Sequence, residues 1–177
     1  MSATGPDYVP GAGGLRLFRG NGPLTVINTR RVVVTGMGVV TPIGNTVDDF
    51  WAAAKAGSCA TGPITNFDTE DLYIKIAAEI KDFEPQQRIT NKLLQLADRY
   101  SKFAGVAAAE AVKQSGMPVP FTDPYRSAAI IGSGAGGLNT IETAYRDLFI
   151  LNKRATHPFT LLRFIGSSAA AHVGIDY

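Results

Sequence analysis

Residues Arg126 to Leu138 read RSAAIIGSGAGGL, and Val32 to Gly38, earlier in the chain, read VVVTGMG. Each is a short apolar run that stops at glycines before a helix-like pattern begins. Short apolar runs bounded by glycine have the signature of buried strands in a parallel sheet. A strand that turns sharply into a helix presents backbone N–H groups and small side chains at the carboxyl edge of the sheet, where open α/β sheets hold their ligands. The two stretches therefore predict an α/β protein whose functional edge lies at its glycine turns.

Outward from the first turn, VVTPIGN has Pro and Gly where a loop needs them. Thr46 then caps a helix from Val47, with Asp48 and Asp49 in its positively polarised first turn. Phe50, Trp51 and Ala54 form its apolar face, and Gly57 ends it. Ile74, Ile76, Ala78 and Ile80 alternate with Lys75 and Glu79, the period of a half-exposed strand. From Lys92 to Gln114 the apolar positions keep helical spacing without a break, which predicts one helix of about 35 Å. The many alanines on it imply close packing against a sheet or another helix. Beyond the second turn, Leu138 to Leu151 reads as a helix with Ile141, Tyr145, Leu148 and Phe149 inward. Phe159 to Val173 reads as a further helix that mixes large residues with the small run Gly166 to Ala171.

Residues 1–29 are rich in Gly and Pro and show no apolar period, so too little surface can be buried to offset the entropy of ordering them. They read as a flexible arm before a domain of residues 30–177. The 177 residues are enough for one domain with its own core, and 45% hydrophobic with 18% charged residues describes an ordinary globular protein. A net charge of +2 without a dense basic run gives no reason to expect nucleic acid. The single cysteine, Cys59, excludes an internal disulfide framework and a Cys-rich zinc site, and fits a reducing cytoplasm. Neither a signal peptide nor a membrane span is legible, so the expectation is a soluble cytoplasmic protein.

Gly132, Gly134 and Gly137 satisfy G-x-G-x-x-G, which raises a dinucleotide site. That motif wants an acidic residue about twenty positions on, at the end of a second strand. Asn152 falls there. An NADP module would take Leu148 to Leu151 as the strand and Lys153 and Arg154 as the 2′-phosphate pair, with a crossover helix shorter than usual. Cys59 follows a helix C-terminus, whose field opposes a thiolate, and has no histidine near it in sequence. His157, before a proline, and His172, on a small-residue helix, have no evident partner. Ser133, Ser167 and Ser168 lack a nucleophile elbow.

The blocks RRVVVTGMGVVTPIGNTVDDFW, NFDT, DRYSKFAGVAAAEAV, AAIIGSGAGGL and AAAHVGIDY, in that order from Arg30 to Tyr177, resemble the N-terminal part of the β-ketoacyl-acyl carrier protein synthases, the type II condensing enzymes. The resemblance implies an α/β thiolase-like fold, here its N-terminal half: a mixed sheet with helices on both faces. It implies decarboxylative condensation of acyl chains in fatty acid or polyketide synthesis, acyl carrier protein as partner, a homodimer, and no cofactor or metal. The family's nucleophilic cysteine and two histidines match positions beyond Tyr177. No catalytic residue is therefore expected in this chain, which should be inactive alone, and Cys59, His157 and His172 take no such role. Ala135, between the second and third glycines of the GSGxGGL block, is implied as a wall of the acyl-chain pocket, and Phe159 as an aromatic near that pocket and the dimer interface. A non-catalytic partner resembling a chain-length factor is the alternative reading.

Overall fold

The computed structural model describes the backbone of Leu15–Phe18 and Thr25–Asn28 and residues 31–177, which fall into two compact units divided after Val34. In the first unit, β1 (Leu15–Phe18) pairs antiparallel with β2 (Thr25–Asn28). The rest of the N-terminal arm lies outside the described residues. Val32, Val33 and Val34, expected as a buried strand, are exposed and belong to no ladder.

In the second unit, α1 (Val47–Lys55) begins where Thr46 predicts it, the Thr46 hydroxyl accepting the Asp49 N–H at 3.1 Å. Its expected apolar face is not buried: Trp51 and Ala54 are exposed. β3 (Thr61–Pro63) pairs antiparallel with β4 (Ile76–Ala78), the centre of the alternating isoleucine segment. Below this hairpin, Glu79 accepts hydrogen bonds from the Thr65 and Asn66 amides and the Thr65 hydroxyl. The Thr65 hydroxyl bond is the chief reason its carboxyl is held below the usual value.

The long helix is broken in two. α2 (Asn91–Leu96) ends at Ala97, whose ψ of 145° is extended, and α3 (Arg99–Ser115) restarts from Asp98. Asp98 is a helix-capping residue whose side chain accepts the Tyr100 N–H, so the chain is recapped where apolar periodicity alone runs straight through. Leu93 and Val106, each 1% exposed, are the largest buried apolar side chains among the described residues, and Leu93 lies over Gly105 of α3. Burying two such side chains stabilises by roughly 2 kcal/mol each.

The final helical region is likewise divided, into α5 (Thr160–Phe164) and α6 (Ser168–Asp176), with Ile165 extended between them. The carbonyls at the end of α5 have partners outside the helix: the Tyr100 hydroxyl donates to Ile165 O and the Gly137 N–H to Phe164 O. α6 packs along α3, where Ser101 and Ala169 are completely buried. α4 (Leu138–Tyr145) follows the second glycine turn and passes into a π-helical turn, Arg146–Ile150. Tyr145, Leu148 and Phe149, read as inward, are exposed, because nothing among the described residues packs over that face.

Ala128 to Ile131 likewise belong to no ladder, and Ile130 is 93% exposed. Among the described residues the strands form two antiparallel pairs, while the central parallel ladder expected from the two glycine-bounded runs is not formed. A strand read from a buried-type sequence needs neighbours on both edges and a cover on each face, and neither is supplied to these two runs.

Candidate functional site

The second glycine turn supplies the candidate site. Its first half is open: a side chain at Gly132 or Gly134 would meet nothing within 4 Å. The Gly136 N–H donates to the Ser133 hydroxyl at 3.0 Å, and Gly136 adopts φ +66°, the left-handed region that favours glycine. Gly137 then starts α4 without a side chain to cap it. The missing cap comes from another helix. Asp98 Oδ2 accepts the Thr140 N–H at 2.9 Å and the Thr140 hydroxyl at 2.5 Å. A Cβ on Gly137 would lie 2.8 Å from that oxygen and 2.6 Å from Arg163 O, so glycine is required for the approach.

Asp98, 7% exposed, thus sits at the N-termini of α3 and α4 together, where both dipoles favour a carboxylate. The same junction grips the end of α5, with Arg163 donating to Gln95 O at 2.7 Å and Tyr100 donating to Ile165 O. Beside it lies a polar cavity of about 240 Å³ bordered by Asp98, Thr140, Asp147, Thr156, His157 and Arg163. His157 Nδ1 accepts the Phe159 N–H, which leaves Nε2 to carry the proton of the neutral ring. An apolar cavity of about 270 Å³ lies between α3, α6 and the segment from Ala128, lined by Ala111, Val112, Phe121, Ala128, Val173 and Tyr177.

The first glycine turn is held differently. Gly36 and Gly38 lie directly on the α3 backbone at Ala111 and Ala107, where a Cβ on either would overlap a carbonyl oxygen. Glu110 accepts the Val39 N–H at 3.0 Å and the Val47 N–H at 2.8 Å, and Gln114 accepts the Met37 N–H. This is the close packing that the alanines of α3 implied.

Ala135 is exposed at the outer end of the second turn, and Phe159, 43% exposed, stands at the N-cap of α5. Neither lines the two cavities just described. The two are connected through α5, which Phe159 precedes as N-cap and whose last carbonyl holds Gly137. Cys59 is exposed, and hydrogen bonding to Thr61 holds its thiol below the usual value, opposite to the direction argued from the preceding helix. Burial lowers the pKa of His172, with Asp176 opposing and Lys92 adding. The NADP reading loses its second strand, since Leu148–Leu151 lies in and just after the π-helical turn, and Lys153 is paired with Asp147 at 2.7 Å. Among the described residues no three His, Cys, Asp or Glu side chains converge as metal ligands, and no helix is long and apolar enough to cross a membrane.

Asp98, Glu110 and Gln114 escaped the sequence reading. Asp98 carried a usable signal, a capping residue after Ala97, but the unbroken apolar period outweighed it.

The model of the beta-ketoacyl synthase N-terminal domain matches residues 29–177. The chain belongs to the β-ketoacyl synthase family and has the fold of the N-terminal half of its thiolase-like domain. It is 39% identical over 148 residues to 3-oxoacyl-[acyl-carrier-protein] synthase 2 of Coxiella burnetii, covering 84% of this chain and 36% of that protein. The chain thus spans about a third of the length of the curated relatives it matches. Among solved structures it resembles the ishigamide ketosynthase/chain length factor, with TM-score 0.70 and 27% identity over 83% of this chain and 37% of that one. A type II polyketide ketosynthase in complex with its acyl-carrier protein superimposes with TM-score 0.65 over 81% of this chain and 37% of that one; at 23% identity this likeness shows the fold alone.

Proposed function

We propose that the chain is the N-terminal part of a cytoplasmic, homodimeric 3-oxoacyl-acyl carrier protein synthase, inactive by itself, whose glycine turn at Ala135 walls the acyl-chain pocket with Phe159 close by. The family match over residues 29–177 carries this reading. In the proposed reaction a cysteine thiolate takes the acyl group from the carrier protein's thioester, releasing the carrier thiol. Malonyl-carrier protein loses carbon dioxide, and the resulting carbanion attacks the enzyme thioester. A carbon–carbon bond forms, the carbon–sulfur bond breaks, and the cysteine leaves as thiolate. Residues 31–177 contribute pocket shape to this chemistry, and the cysteine and two histidines are assigned to sequence beyond Tyr177.

The reading frame downstream of Tyr177 in the source gene is the test. Continuation into a cysteine at a strand-to-helix turn and two later histidines, with condensing activity in the purified product, supports the proposal. A stop codon after Tyr177 overturns it. The likeness to a ketosynthase/chain length factor keeps a second reading in view, a non-catalytic partner. It is favoured if the frame continues without the cysteine and the product co-purifies with a complete ketosynthase.

A further inference from the structure

We infer that Asp98 is a positioning residue for the acyl-chain pocket, its buried carboxylate setting where the Gly132–Leu138 turn, and with it Ala135, stands. This inference rests on the proposed reading of that turn as a pocket wall and deepens it.

The outer half of the turn is not held by packing, since the space around Gly132 and Gly134 is open and Ala135 is exposed. Its placement therefore depends on the anchors at its inner end. One is the Gly137 N–H on Phe164 O, at 2.9 Å. A second is Gly136, seated against Phe164 O and Gly166; the one made by a side chain is Asp98, which devotes Oδ2 to the backbone and hydroxyl of Thr140 while Oδ1 caps its own helix. A residue serving only as the α3 cap needs no second helix on its carboxylate. Gly137, which leaves room for that carboxylate, ties the glycine motif itself to Asp98. The adjacent Tyr100 and Gln95 hold the end of α5, whose N-cap is Phe159, so one junction sets both proposed pocket residues.

The test compares Asp98→Ala, Asp98→Asn, Ala135→Leu and Thr90→Ala in the protein at the length its source cell makes. Amide hydrogen exchange and the chain-length distribution of condensation products are read together. Thr90 caps α2 through the Leu93 N–H and has no bond to the turn, so Thr90→Ala controls for lost helix capping. The expected result is faster exchange at Gly137 and Thr140 in Asp98→Ala, with α1 unchanged. A severalfold rise in products one elongation cycle from the wild-type length accompanies it. Asp98→Asn, which keeps one acceptor for the Thr140 N–H, falls between, and Thr90→Ala lowers the melting temperature with product lengths unchanged. If Ala135→Leu shifts product length and Asp98→Ala does not, the positioning inference is overturned and the pocket reading stands. If Thr90→Ala shifts lengths as far as Asp98→Ala, the effect is general destabilisation and the inference fails. If Ala135→Leu leaves product length unchanged, the pocket reading fails and takes the inference with it.

Discussion

The turns VTGMG and GSGAGG look like one device used twice, yet α3 holds them by opposite means. Towards its C-terminal end α3 receives the first turn backbone against backbone. Gly36 and Gly38 lie on Ala111 and Ala107, while Glu110 collects the N–H groups of Val39 and Val47. At its N-terminus it receives the second turn through one carboxylate, Asp98, and leaves Gly132 and Gly134 in open space. The same G-x-G spacing therefore marks close approach at Gly36 and Gly38 but open space at Gly132 and Gly134, the close approaches of the second turn falling instead on Gly136 and Gly137.

The largest effect is expected at Gly38. Gly38→Ala drives a methyl group into the α3 backbone and is expected to cost about 3 kcal/mol in chemical denaturation, because neither helix nor turn can yield locally. A loss below about 0.5 kcal/mol, the usual scale of a surface substitution, would show that the first turn is not seated on α3. Next is Glu110→Ala, which strips the partner from two amides, one of them at the start of α1. Its expected cost is about 2 kcal/mol, since a charged acceptor is removed and donors are left unsatisfied. Glu110→Gln should recover part of that loss.

At the second turn the effects are smaller and local. Thr140→Val removes the hydroxyl donor to Asp98 while keeping the N–H, and a loss of about 1 kcal/mol is expected by thermal melting. Gly134→Ala sharpens the contrast from the other side. Gly134 lacks a positive φ and its neighbourhood is empty, so the substitution should be neutral or stabilise by about 0.5 kcal/mol through the unfolded chain. Equal losses in Gly38→Ala and Gly134→Ala would mean that the two turns are one device after all.

The helix starts were the most legible part of this fold, because a cap is a local event: Thr46 accepts an amide three residues on, within its own turn. Breaks inside apolar periods were not legible. Ala97 and Ile165 interrupt helices whose spacing runs on, and in each case the bonds beside the break go to residues far along the chain, Asp98 to Thr140 and Ile165 to Tyr100. Inward faces failed for a related reason. Trp51, Leu148 and Phe149 are apolar at helical spacing, but periodicity states which side is apolar and not whether anything covers it.

The amino-acid sequence by itself determined the family, the Thr46 cap of α1 and the positions of the glycine turns, since each is written in residues adjacent along the chain or in blocks read in order. Only the tertiary structure decided that Val32–Val34 and Ala128–Ile131 have no ladder partners among the described residues. It alone decided that Glu110 clamps the first turn and Asp98 the second. Those outcomes depend on which N–H groups and backbones meet across tens of residues, and no local preference encodes a meeting of that kind.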